Sequence, residues 1–217
     1  VVFTDNMNGN VSYNGSWDFI YSGFGSFTFY METYDGLKSD SFTVTINPVT
    51  VSTEAELIEK MNNLDASFQL ANDITLSGAW TPIGTENSPF EGHIDGAGYT
   101  ISGLDLTDCE DNCGFISFLG YNGILENLTF VDAELESQNS GIVVGTSYGI
   151  IDNATVSGEI NVLFGDNVGG IAGGNFGIIS NSTNNINIST YGDNVGGIAG
   201  FSSTVMTPKA DEVVRVS

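Results

Sequence analysis

The side chains able to do chemistry fall into three groups: oxygen donors crowded on two stretches, one pair of cysteines, and a single histidine. Asp5-Asn6-Met7-Asn8-Gly9-Asn10 and the stretch from Asp105 to Asp111 gather carboxylates and amides at close spacing. Calcium takes such oxygens as ligands, so the candidate set is Asp5, Asn8 and Asn10 in the first stretch and Asp108, Glu110 and Asp111 in the second. Neither has EF-hand spacing, and Asn, Asp and Gly also gather in loops for backbone reasons alone. Calcium is the one cofactor the sequence suggests, and a plain solvated loop is the rival reading. Cys109 and Cys113 are the only cysteines. Two sulfurs with no His nearby cannot complete a zinc site. In an oxidising compartment a local disulfide is expected, with two free thiols as the alternative.

His93 lies in Phe90-Glu91-Gly92-His93-Ile94-Asp95, and no partner for a catalytic role follows it. A polysaccharide lyase needs a basic residue near its site, and residues 85–201 contain neither Lys nor Arg. A glycoside hydrolase needs two carboxylates across a cleft. Asp105, Asp108, Glu110, Asp111, Asp132 and Glu134 are available, but on turns such acids are ordinarily just solvated. Nothing has the spacing of a serine triad or a phosphate-cradling loop. No catalytic residues are expected.

The elements that must carry these residues repeat. Phe164-Gly165-Asp166-Asn167-Val168-Gly169-Gly170-Ile171-Ala172-Gly173 recurs as Tyr191-Gly192-Asp193-Asn194-Val195-Gly196-Gly197-Ile198-Ala199-Gly200. Looser copies begin at Asn139 and Asn112, which sets Asn112, Asn139, Asn167 and Asn194 about 27 residues apart. A second register runs through Gly123-Ile124-Leu125-Glu126-Asn127, Gly149-Ile150-Ile151-Asp152-Asn153 and Gly177-Ile178-Ile179-Ser180-Asn181. Each unit holds three short β-branched runs bounded by Gly and Asn, with no room for a crossover helix. That pattern predicts an all-β fold, a parallel β-helix with three strands per coil, and right-handed as parallel crossovers almost always are.

Asn127, Asn153 and Asn181 then fall at one corner of successive coils, and Asn112, Asn139, Asn167 and Asn194 at another. An amide both donates and accepts, so stacked Asn can bond along the axis as a structural ladder. Asn127, Asn153 and Asn181 also open Asn-x-Thr sequons, so a glycan at that corner is the competing reading.

Residues 1–48 hold eleven of the 24 aromatic residues and alternate as strands do, with Ser26 to Tyr34 and Ser41 to Ile46 flanking the turn Asp35-Gly36. This segment resembles the last strands of a bacterial immunoglobulin-like module, though a full sandwich needs about 100 residues. Residues 49–84 read as the solenoid's N-terminal cap. Within them Thr53-Glu54-Ala55-Glu56 is a capping box opening a helix over 53–63. A helix, then Phe68 to Leu76, Trp80 to Gly84, Phe90 to Leu104, and then the Gly-Ile-Ala-Gly units over 85–201 together resemble the GLUG-repeat family of surface β-helix proteins. The resemblance implies that the helix closes the first coil, and it implies adhesins and large exoproteins rather than catalysis. Residues 202–217 break the repeat, as a cap or as a truncated continuation. A segment such as Glu212 to Val216 is suited to pairing with a neighbouring subunit.

Four basic against 27 acidic residues give a net charge of −23. Phosphate binding rests on clustered Lys and Arg, so nucleic acid is excluded as a partner. No run approaches the roughly 18 apolar residues of a membrane span, so membrane insertion is not expected. The expected role is a non-enzymatic extracellular or cell-surface structural or adhesive protein. Its partners would be other copies, neighbouring subunits of an assembly, or glycans. A carbohydrate-binding or polysaccharide-cleaving β-helix is the alternative.

Overall fold

A computed structural model of the chain describes residues 2–5, 25–33 and 36–203. The expected ligands Asn8 and Asn10, the turn residue Asp35 and the segment 204–217 lie outside the described residues. The chain divides into two compact units, Val1–Val49 and Thr50–Ser217.

In the first unit, Gly25–Thr33 pairs antiparallel with Phe42–Ile46, placing Phe29 opposite Phe42 and Gly25 opposite Ile46. Val2–Asp5 joins the other edge in parallel, giving a three-stranded sheet. The hairpin carries two cross-strand hydroxyl pairs, Ser26 with Thr45 and Thr28 with Thr43, each at 2.9 Å. Such pairs stabilise a register from the exposed side.

The second unit is a parallel β-solenoid. Its first face stacks Thr50–Val51, Ser67–Leu70, His93–Asp95, Ile124–Glu126, Ile150–Asp152 and Ile178–Ser180. The second stacks Ile74–Thr75, Thr100–Ser102, Thr129–Leu135, Thr155–Val162 and Thr183–Asn184, extended by Asp105–Leu106 and Asn187–Thr190. Ile116–Leu119, Val144–Ser147, Ala172–Asn175 and Ala199–Ser202 make the third. All of these pairings are parallel, and one coil is about 28 residues, as Ile151 opposite Ile179 and Val144 opposite Ala172 illustrate.

Period-two alternation sends one residue in each short strand inward, and the coils stack these into apolar columns. Phe68, Ile94, Leu125 and Ile151 form one column, and Ile74, Ile101, Phe130 and Val156 another; all are buried. Leu106, Leu135 and Ile160 form a third. Near the first coils Trp80 stacks on Phe115 with centroids 5.0 Å apart, and its indole N–H donates to the Phe115 carbonyl at 2.9 Å. A bulge interrupts the second face, where the register shifts between Phe130 and Ala133. Asp132 takes a positive φ there. Opposite Ala133, just past the bulge, Gly158 has φ +140°, where a Cβ would strike the Ala133 backbone.

The helix spans Glu54–Met61, shorter than the expected 53–63 because Thr53 is its cap and the chain leaves the helix at Asn62. Thr53 Oγ1 accepts from the Glu56 N–H, while the Glu56 carboxylate reaches back one residue further, to the Ser52 N–H at 2.8 Å. Leu57 and Met61 are buried in the same core cluster as Phe68. Glu54 ties the helix to the chain beyond the first coil's second-face strand by accepting from the Ser77 N–H and hydroxyl.

Candidate functional site

The outward side of the first face lines up Gln69, Asp95, Glu126, Asp152 and Ser180 in register. Asp95 is only 8% exposed. Its carboxylate accepts from Gln69 Nε2 at 2.8 Å, Asn127 Nδ2 at 2.9 Å and the Ala97 N–H at 2.8 Å. Three donors fix it as an acceptor that holds the corner rather than a base waiting for substrate. His93 is buried beside it and bonds through Nε2 to Glu126 Oε1 at 2.8 Å, a contact across 33 residues that the sequence does not signal. Asp152 accepts from Ser180 Oγ and Asn181 Nδ2, each at 2.7 Å, and these bonds hold its carboxyl below the ordinary 3.8.

All seven expected ladder asparagines have positive φ, between 50° and 58°. The other such non-glycine residues described are Ala97 and Asp132. Asn tolerates this left-handed conformation better than other side chains with a Cβ, so the residue that turns each corner also supplies the amide. Along one corner Asn194 donates to Asn167 at 3.0 Å, Asn167 to Asn139 at 2.7 Å, and Asn139 to Asp111 at 2.8 Å. Asn112 shares that backbone corner but turns aside. Its Nδ2 donates to the Ser117 carbonyl at 2.7 Å and its Oδ1 accepts from Thr146 at 2.6 Å. At the other corner Asn153 donates to Asn127 at 2.8 Å and Asn127 to Asp95, whereas Asn181 donates to Asp152 and not to Asn153.

Cys109 and Cys113 are joined by a disulfide, with Cα atoms 6.1 Å apart. Of the expected calcium ligands, Asp5 ends the strand Val2–Asp5, Asp108 immediately precedes the disulfide loop, and Glu110 and Asp111 lie within it. Among the described residues no three His, Cys, Asp or Glu side chains meet as a metal cluster, and Asp111 is engaged by Asn139. Asp105 accepts from the backbone N–H and hydroxyl of Thr107, which lowers its pKa.

One outward feature escaped sequence reasoning. Tyr121, Tyr148, Phe176 and Phe201 follow one another in series with centroids 5.1, 5.0 and 5.8 Å apart, the middle pair stacked and the outer two tilted. Its signal is an aromatic one or two residues before the Gly that opens the second register, as in Tyr121-Asn122-Gly123, Tyr148-Gly149 and Phe176-Gly177.

Fold and corners together define a parallel β-solenoid whose corner asparagines are bonded largely along its own axis. No protein-family model matches the chain. It is 35% identical over 124 residues to a protein of Evansella cellulosilytica named, provisionally, as a Gly-rich membrane protein, covering 51% of this chain and 14% of that one. It is 36% identical over 132 residues to Halomucin of Haloquadratum walsbyi, covering 54% of this chain and 1% of that one. The chain thus spans only a small part of these relatives' length. A crystal structure from Bacteroides ovatus, provisionally described as an immunoglobulin A1 protease, shares the fold. The TM-score is 0.53 at 21% identity, over 73% of this chain and 62% of that one.

Proposed function

We propose that this chain is a rigid, non-catalytic segment of an extracellular or cell-surface structural or adhesive protein. The observation that carries this reading is the unbroken run from Asn194 through Asn167 and Asn139 to Asp111, which couples successive coils along the axis. Side chains spent on such coupling serve stiffness, and the carboxylates best placed for acid–base work, Asp95 and Asp152, are held by neighbouring donors. Similarity to part of Halomucin and the surplus of acidic residues suit a surface layer in salty surroundings, where screening removes self-repulsion. Within this reading the coils over 85–201 are GLUG-type repeats capped by 49–84, and residues 1–48 are part of an immunoglobulin-like module. No described helix is long and apolar enough to cross a membrane.

The test is negative-stain microscopy of the purified native material, with and without calcium, beside a reducing-sugar assay on plant and microbial polysaccharides. Rods, filaments or arrays without sugar release are expected. Turnover that is lost on neutralising Asp95 or Glu126 would overturn the reading.

A further inference from the structure

Phe164 and Tyr191 occupy the same position in successive coils, each followed by Gly-Asp-Asn. Unlike Phe115 and Phe130, which are buried, these rings are 76% and 82% exposed. Their centroids lie 6.3 Å apart with the planes tilted by 38°. The following glycines allow that approach: a Cβ on Gly192 would strike the carbonyl oxygen of Gly165, and one on Gly165 would strike the Val162 side chain. Beside the rings runs a cleft of about 240 Å³ bounded by Gln138, Asp166 and Asp193. Asp166 Oδ1 accepts from the Asp193 N–H at 2.9 Å, which fixes the floor of this cleft. Tyr191 is a ridge, because its other flank borders a depression of about 150 Å³ with Asn161, Ser189 and Thr190.

We propose that the Phe164–Tyr191 corner is a binding platform for a neutral hexopyranose glycan lying along the solenoid axis. Two exposed rings over a polar-walled cleft match the two halves of a sugar's chemistry. The C–H face of a pyranose packs on an aromatic face. Its hydroxyls donate to the carboxylates of Asp166 and Asp193, and exchange bonds in both directions with the Gln138 amide. The same carboxylates, within a chain of net charge −23, repel uronic, sialic or sulfated glycans, so the occupant is uncharged. The depression beyond Tyr191, lined by Val162 and Leu163 as well as by Asn161, Ser189 and Thr190, extends the track past a single sugar unit.

Affinity electrophoresis of the full chain in gels containing hydroxyethylcellulose or galactomannan tests this, with polygalacturonate as the anionic control. Retardation is expected in at least one neutral polymer and not in polygalacturonate. Phe164→Ala/Tyr191→Ala is expected to weaken it at least tenfold, and Tyr191→Leu, which keeps an apolar side chain, at least fivefold. Tyr121→Ala, in the other aromatic series, is expected to leave it unchanged. The absence of retardation in every neutral polymer would overturn the proposal, as would equal retardation in polygalacturonate. So would binding that survives the double substitution with an unaltered circular-dichroism spectrum. The scaffold reading is scored separately, because rod or array formation is expected to be the same in the double variant.

Discussion

Asn139 donates its side-chain N–H to the carboxylate of Asp111 at 2.8 Å, and this bond gives the whole corner a direction. Asn167 likewise donates toward the N-terminal coil, to Asn139, and accepts from Asn194 in the coil beyond. An ionised carboxylate only accepts, so it can end a run of donating amides but cannot pass the run on. The other corner begins the same way, with Asn127 donating to Asp95.

Asn167 has two jobs, and substitution separates them. Asn167→Gly keeps the left-handed φ of 54° but removes both amide bonds, and is expected to cost about 1–2 kcal/mol. Asn167→Ala also places a Cβ without a compensating amide in that conformation, and is expected to cost about 1 kcal/mol more. Urea unfolding of the two variants measures the difference, and equal losses would mean the backbone conformation is not what selects Asn. At the first rung, Asp111→Asn still accepts and is expected to stay within about 0.5 kcal/mol of the parent, whereas Asp111→Ala is expected to lose about 1 kcal/mol.

Glycines of the third face and of the turn leading into it differ in what surrounds them. A Cβ at Gly141 would lie 2.6 Å from the Ala172 backbone, which cannot yield, so Gly141→Ala is expected to cost about 3 kcal/mol or more. At Gly174 the nearest atoms are a flexible ring carbon at 3.5 Å and a hydroxyl at 3.7 Å, so Gly174→Ala is expected to be neutral or slightly stabilising. Thermal melts of the pair check this contrast.

The repeated phrase made the coil, its spacing and its corner residues readable, because a solenoid repeats its constraints every turn. What the sequence hid was mostly contact between coils at irregular offsets. Asn112 yields its rung to Asp111 because Ser117 and Thr146 claim its amide. Asn181 turns to Asp152, one residue off the expected partner. The His93–Glu126 bond crosses a coil of 31 residues, Ile94 to Leu125, that is longer than those that follow. The aromatic series was missed because its rings stand at one residue before Gly in some coils and two in another.

The disulfide Cys109–Cys113 closes a small loop and leaves Cys113 fully buried. By chain entropy a loop of this size contributes about 2 kcal/mol. Cys109→Ser/Cys113→Ala is expected to lose about that much, and dithiothreitol is expected to lower the parent's denaturation midpoint but not the variant's.

Acid acts on Asp152 with a definite sign. Its folded pKa is depressed below 3.8 by Ser180 and Asn181, so its contribution is present above pH 3.8 and is lost as pH falls through the folded value. Carbon-13 titration of the carboxyl is expected to place its midpoint below that of an unstructured Asp, and Asn181→Ala to move it upward. A midpoint unmoved by that change would show that the amide does not act on the carboxylate.

With 27 acidic and four basic residues, self-repulsion opposes folding until salt screens it. The Debye length falls from about 10 Å at 0.1 M to about 3 Å at 1 M. The melting temperature is expected to rise by several degrees over that range, and a flat response would mean the acidic surface is already neutralised by bound cations.

The central claim is that axial coupling makes these coils one rigid body, and residue-resolved native-state hydrogen exchange tests it most directly. The account predicts that the amides of Val144, Ala172, Ile151 and Val156, on three faces of adjacent coils, share one slow opening with the free energy of global unfolding. Coils that open one at a time, with the 144–147 and 172–175 strands exchanging at unrelated rates, would contradict it.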